Sequence, residues 1–221
     1  QEQRNLIGAG RKNLIINGDF RISQRGDYTN ATNIVNDTFA IDRWKLNKAG
    51  TSSASSIQDL GGSVRIQATA SFTGQTRIVH QLEDKGLYKA LSNKTVTFSA
   101  LIKSNSANAR IQVWVGTSWE GFNASHSGSG QWEHLTATYT FGDLTSFGDG
   151  GVNFQVALDG YNSADVALTS GDYLEVKNVQ LELGSVATDF EHRSFGEELA
   201  LCQRYFWAQV PLGSATGGAG N

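Results

Sequence analysis

Apolar and polar residues alternate at every second position along much of this chain, and that period restricts it to strands with one dry and one wet face. In Thr95–Ile102 the apolar set is Val96, Phe98, Ala100 and Ile102, with Thr95, Thr97 and Ser99 between them. Leu135, Ala137, Tyr139 and Phe141 repeat the pattern, as do Val152, Phe154, Val156 and Leu158. Shorter strands are expected at Asn13–Phe20, Val64–Ala68, Arg77–Leu82 and Ile111–Val115. The segment Tyr173–Leu183 changes phase at Lys177–Asn178, the mark of a β-bulge. Turn-rich runs at Gly50–Ser56, Asn123–Gly130 and Gly142–Gly151 separate these segments. About eight strands at this spacing predict an all-β, jelly-roll β-sandwich.

One helix is expected at the end of that series. Ser194 and Glu197 have capping-box spacing, and Phe195, Leu199, Cys202 and Phe206 fall on one helical face. A short helix over about 195–205 should dock that stripe on the sandwich or on a neighbouring subunit. The predicted organisation is a linker or N-terminal extension over 1–12, a sandwich over 13–193, and a short helix with a glycine-rich segment over 194–221. The chain holds no methionine, even at position 1, and the glycine-rich end is expected to lead into further sequence.

Composition narrows the function classes. The formal net charge of −3, with 18 scattered Lys and Arg, gives no basic face for nucleic acid or anionic lipid. No run approaches the roughly 18 apolar residues of a membrane span, so membrane insertion is not expected. The single cysteine, Cys202, excludes an internal disulfide.

Three stretches together resemble a known group. Asn13-Leu14-Ile15-Ile16-Asn17-Gly18-Asp19-Phe20 resembles the opening strand of jelly-roll carbohydrate-binding modules. Asp42-Arg43-Trp44 and Gln131-Trp132-Glu133-His134-Leu135 follow in the order found in such domains of phage tail proteins. The run from Gln180 through Arg193-Ser194 to Tyr205 resembles the closing strand and helix of tailed-phage fibre or appendage proteins. The resemblance spans roughly 13–206 and implies a galactose-binding-like fold, a homotrimer on a virion, contacts with other virion proteins, and attachment to host cell-surface polysaccharide.

Candidate sites follow from chemistry. A pyranose stacks its apolar face on an aromatic ring while amide and charged groups read its hydroxyls. Trp114 should point away from Ile111, Val113 and Val115, on the same side as Gln112; Trp119 and Phe122 follow in an expected loop, with Asn123 and His126 behind. Trp114, Trp119, Phe122 and Asn123 form the candidate glycan site. The competing reading packs Trp114 under a loop or against another subunit. Trp44 and Trp132 are read as core or strand-edge anchors. Jelly-roll carbohydrate modules often hold a structural calcium, and Asp19 stands at the matching opening position. Lys177 and Asn178 occupy places where acidic residues are usual, and a lysine is unfavourable beside a divalent cation. Asp19 is therefore read first as a turn or cap residue.

Catalysis has little support in the residues. His80, His126, His134 and His192 show no zinc spacing, His80 reads as a structural histidine beside Ile78 and Leu82, and Cys202 as a buried inert thiol. Glu83 and Asp84 are adjacent and should point apart. Arg25-Gly26-Asp27 spells an adhesion tripeptide by chance, and Asn30, Asn36, Asn93 and Asn123 each open a glycosylation sequon that has meaning only in a secreted eukaryotic protein. The leading expectation is a non-enzymatic virion module binding host glycan. A structural spacer without a ligand and a polysaccharide depolymerase follow in that order.

Overall fold

The computed structural model describes residues 11–33, 35–50, 54–82, 85–115, 118–145, 152–160 and 163–207, leaving aside the side chains at 50, 85, 86, 88 and 118–122. Twelve strands and two helices lie among them: β1 Thr38–Ile41, β2 Trp44–Gly50, β3 Ser55–Asp59, β4 Val64–Ala68, β5 Phe72–Gln81, α1 Lys85–Ala90, β6 Thr95–Ser104, β7 Ala109–Val115, β8 Ser118–Ser125, β9 Trp132–Thr140, β10 Val152–Leu158, β11 Val166–Leu168, β12 Tyr173–Leu183 and α2 Phe195–Gln203. One antiparallel sheet runs β1-β2-β5-β10-β7-β8 with β11 beside β5; the other runs β3-β4-β12-β6-β9. The chain is a jelly-roll β-sandwich, as its alternation predicts.

The dry faces meet as the period of two requires. Val96, Phe98, Ala100 and Ile102 of β6 are fully buried, as are Phe154, Val156 and Leu158 of β10. Phe98 and Phe154 touch across the two sheets, with ring centroids 5.1 Å apart. Trp44 lies 5.0 Å from Phe20 and 5.1 Å from His80, so it is a core anchor. Each such side chain contributes roughly 1.5–3 kcal/mol by leaving water. Trp132 is half-buried under the Lys177 ammonium, 4.2 Å from its ring.

The phase change in β12 is a bulge. Lys177 pairs with Leu101 and Gln180 with Ser99, so β12 has one residue more than β6 between those pairs. Asn178 absorbs it at φ 53. The bulge frees the Val179 N–H, which donates to the Gly18 carbonyl at 2.8 Å. This explains a departure from expectation: Asn13–Phe20 is an irregular strap rather than a strand. The Asn13 side chain takes the place of a ladder partner, donating to the Val179 carbonyl at 3.1 Å and accepting from Leu181 N–H at 3.1 Å. Asn17 and Phe20 adopt φ 57 and 56, which no strand allows.

The capping box is present, with Glu197 N–H donating to the Ser194 hydroxyl and Ser194 N–H to the Glu197 carboxylate. The helix stripe needs correction, because Phe195 is 56% exposed. Of the predicted stripe Cys202 is buried and Leu199 packs against its cluster, while Glu198 rather than Phe195 is the other buried residue of α2. Glu198 accepts from Asn17 N–H and the Arg193 guanidinium, and Cys202 packs with Ile16 and Ile22. A buried carboxylate is tolerated there because it is paired and hydrogen-bonded.

Candidate functional site

The outer face of the larger sheet carries a polar lattice set by register. Directly paired residues of antiparallel strands share a face. One row across β2, β5, β10, β7 and β8 is Lys45, Val79, Gln155, Gln112 and Asn123. The next is Asn47, Arg77, Ala157, Arg110 and Ser125. On the other side, Gln81 pairs with Asn153 and Asn153 with Trp114.

A groove of about 220 Å³ opens on this face, lined by Lys45, Asn47, Arg77, Val79, Trp114, Asn153 and Gln155. Trp114 is half-buried there, on the side of Gln112 and away from the core. The floor is held by a continuous chain of polar contacts. Asp37 meets the Lys45 ammonium at 3.2 Å and accepts from the Asn47 amide at 2.8 Å. Arg77 Nε donates to Asn47 Oδ1 at 2.8 Å, and its Nη1 meets Asp159 Oδ2 at 3.4 Å. The Gln112 amide and the Ser163 hydroxyl donate to that same oxygen at 2.9 and 3.1 Å. Arg110 Nε stands 3.6 Å from the other oxygen.

Asp159 is fully buried, and burial pushes its carboxyl up to about 6 even though Arg77 and Arg110 favour the anion. Burial lowers both arginines as well, with Asp159 opposing the shift. Gln112 donates its amide N–H to Asp159, and its buried Oε1 has no hydrogen-bond partner among the described residues. Among the described residues the groove lining contains no carboxylate.

The predicted site residues fall as follows. Trp114 lines the groove, and Asn123 sits one strand away in the Gln112 row. Asn123, Trp119 and Phe122 belong to strand β8, a correction to the loop expected there. The β8 backbone pairs Trp119 with Trp114, whereas the side chains of Trp119 and Phe122 lie outside the described residues. His126 is buried away in a turn, accepting from Gly128 N–H at Nδ1 and facing the Gln131 carbonyl with Nε2. Sequence reasoning missed Lys45, Asn47, Arg77, Asn153 and Gln155. Their signal was the polar half of each alternation, Asn153 and Gln155 between the apolar residues of β10.

Other sequence candidates are tied up structurally. His80 is fully buried and accepts from Ile16 N–H, and burial holds its imidazole well below the usual range. Asp19 is engaged by the Arg21 guanidinium. Its other oxygen, Oδ1, is buried without a hydrogen-bond partner among the described residues, and among those residues no group of three or more His, Cys, Asp or Glu side chains comes together. Arg25 stacks on the Phe39 and Phe206 rings and Asp27 accepts from Thr29, so the tripeptide's two charges are both engaged. Glu83 and Asp84 lie outside the described residues.

No protein-family model matches this chain, and no curated protein matches it. Solved structures similar in shape include a CBM4 structure, 18% identical with TM-score 0.46, covering 76% of this chain and 98% of its own. The Stig cyclase Fisc from Fischerella sp. TAU is 11% identical with TM-score 0.45, covering 80% of this chain and 99% of its own. The enzymatically active domain of tailspike protein 4 from bacteriophage CBA120 is 10% identical with TM-score 0.46, covering 78% of this chain and 21% of its own. At these values the likeness concerns the sandwich and not its chemistry.

Proposed function

We propose that this chain is a non-enzymatic glycan-binding module whose ligand lies in the groove on the outer face of the larger sheet. The observation that carries the reading is a half-buried Trp114 beside a floor of Asn47, Arg77, Asn153 and Gln155, of which Asn47 and Arg77 are held in advance by the Asp37 and Asp159 contacts. An aromatic ring next to fixed donors and acceptors is the combination a pyranose needs, and a floor ordered before binding spares the ligand that entropy. The groove is smaller than the about 300–1,000 Å³ of clefts that enclose small molecules, and suits a ring resting on a surface.

The finer reading places the module on a virion fibre or appendage, as a homotrimer attaching to host surface polysaccharide. It is supported by the resemblance of residues 180–205 to the closing strand and helix of tailed-phage fibre proteins. Weak binding per site would gain strength from many copies on one particle. A spacer or docking domain with no ligand of its own is the second reading, favoured by Phe195 and Trp207, which are 56% and 61% exposed near the closing helix.

The test is a glycan array followed by calorimetry on wild type and Trp114→Ala, with the oligomer followed by light scattering. Loss of the ring should weaken binding by about 2 kcal/mol, close to thirtyfold, with the oligomer unchanged. An intact wild type that binds no glycan, or a variant that binds as tightly as wild type, overturns this reading.

A further inference from the structure

A second groove, of about 410 Å³, lies on the outer face of the smaller sheet. Its floor is Ser99 and Leu101 of β6, His134 of β9 and Asn178 at the β12 bulge; its wall is the segment 187–190. The bulge turns Asn178 out at φ 53. The wall is stapled in place. Gln180 Nε2 donates to the Thr188 and Asp189 carbonyls at 3.2 and 3.4 Å and its Oε1 accepts from Glu191 N–H at 2.8 Å, while Glu182 accepts from Thr188 N–H at 2.8 Å.

Among the described residues the staple groups are satisfied and three lining groups are not. No hydrogen bond to a described residue occupies the Ser99 hydroxyl, the Asn178 amide or the His134 imidazole. Leu101, Ala187 and the half-buried Phe190 supply the apolar part. Among the described residues the lining holds no Lys or Arg, and its single carboxylate is Asp189. The nearby Lys177 ammonium is drawn onto the Trp132 ring.

We propose that this back groove is a second binding site, taking a neutral saccharide against Phe190 and Leu101 with its hydroxyls on Ser99, Asn178 and His134. Hydroxyls both donate and accept, which matches an amide, a hydroxyl and an imidazole that have no hydrogen-bond partner among the described residues. An anionic sugar, phosphate or sulfate finds no counter-charge in this lining. The floor strands β12 and β6 are paired on both sides, whereas β9, which carries His134, ends the sheet, so a peptide adding as a strand is the competing occupant that the test must separate. With the Trp114 groove on the opposite sheet, one copy of the chain would hold two glycan segments at once.

The test is backbone-amide NMR of the full chain titrated with neutral xylo-, cello-, manno- and galacto-oligosaccharides at millimolar concentration. The expected result is a saturable shift of the Ser99, Leu101, His134, Asn178 and Phe190 amides with at least one sugar series. Phe190→Ala should weaken it by about tenfold, and His134→Ala, at an exposed position that leaves the fold intact, by a smaller factor. Trp114→Ala should leave it unchanged, so the two grooves succeed or fail separately. Absence of a saccharide response at these amides, a response only to added peptide, or unaltered affinity in both back-groove variants overturns the proposal.

Discussion

Replacing Gly18 with alanine probes the joint between the N-terminal strap and the β12 bulge. A Cβ built at Gly18 would lie 2.1 Å from the Val179 carbonyl oxygen and 3.2 Å from its carbon, both backbone atoms. The strap must retreat by about 1 Å to restore an ordinary contact, straining packing by about 1–3 kcal/mol. That retreat stretches the bonds the joint is made of: Val179 N–H to Gly18 O and Leu14 N–H to Leu181 O, each 2.8 Å, and the paired contacts of the Asn13 amide. Loss of two such bonds, at about 1 kcal/mol each, brings the total to about 3–5 kcal/mol. The stiffer unfolded chain returns about 0.4–1 kcal/mol and leaves the sign unchanged. For a chain of this size the melting temperature should fall by about 10 °C, measured by calorimetry or circular dichroism. Gly196→Ala is the control: nothing lies within 4 Å of its Cβ and it sits in α2, so it should be neutral or stabilise by up to about 1 kcal/mol. A Gly18→Ala protein melting within about 2 °C of wild type would refute this account, since ΔΔG would then be about 1 kcal/mol or less.

Asp159 should make stability depend on pH in a defined window. Its folded carboxyl sits at about 6 against an ordinary 3.8, so the folded state holds the proton more tightly than the unfolded chain. Its stabilising contribution is full below about 4, falls by on the order of 3 kcal/mol as pH rises through 6, and is flat above. Urea unfolding of wild type and Asp159→Asn across that range should show a difference that changes only there; a constant difference counts against it. Ser194→Ala removes the cap of α2 and should cost about 1 kcal/mol, read by the same unfolding. Burial pushes the Cys202 thiol up, so a thiol reagent should label the protein only as fast as it unfolds, and rapid native labelling would contradict that placement.

Period-two alternation was enough to predict the sandwich, because a strand's buried face depends on its own residues. The β12 bulge was legible for the same reason: one extra residue moves Val179, Leu181 and Leu183 out of phase with Leu174 and Val176. The Ser194–Glu197 cap was legible because its bonds close within four residues. The strap at Asn13–Phe20 was not, since what keeps it from being a strand is an asparagine side chain bonded to residues more than 160 positions away. Nor was the docked face of α2. Phe195 reads as the buried member of the stripe, but Asn17 and Arg193 are placed to satisfy Glu198, and so the carboxylate goes inward. The groove shows the same division. That Trp114 faces away from the core follows from β7 alone, whereas its neighbours Asn47, Arg77, Asn153 and Gln155 come from three other strands. Alternation says only that each of these faces outward; the register between strands decides which of them share a row, and register is a property of the paired sheet.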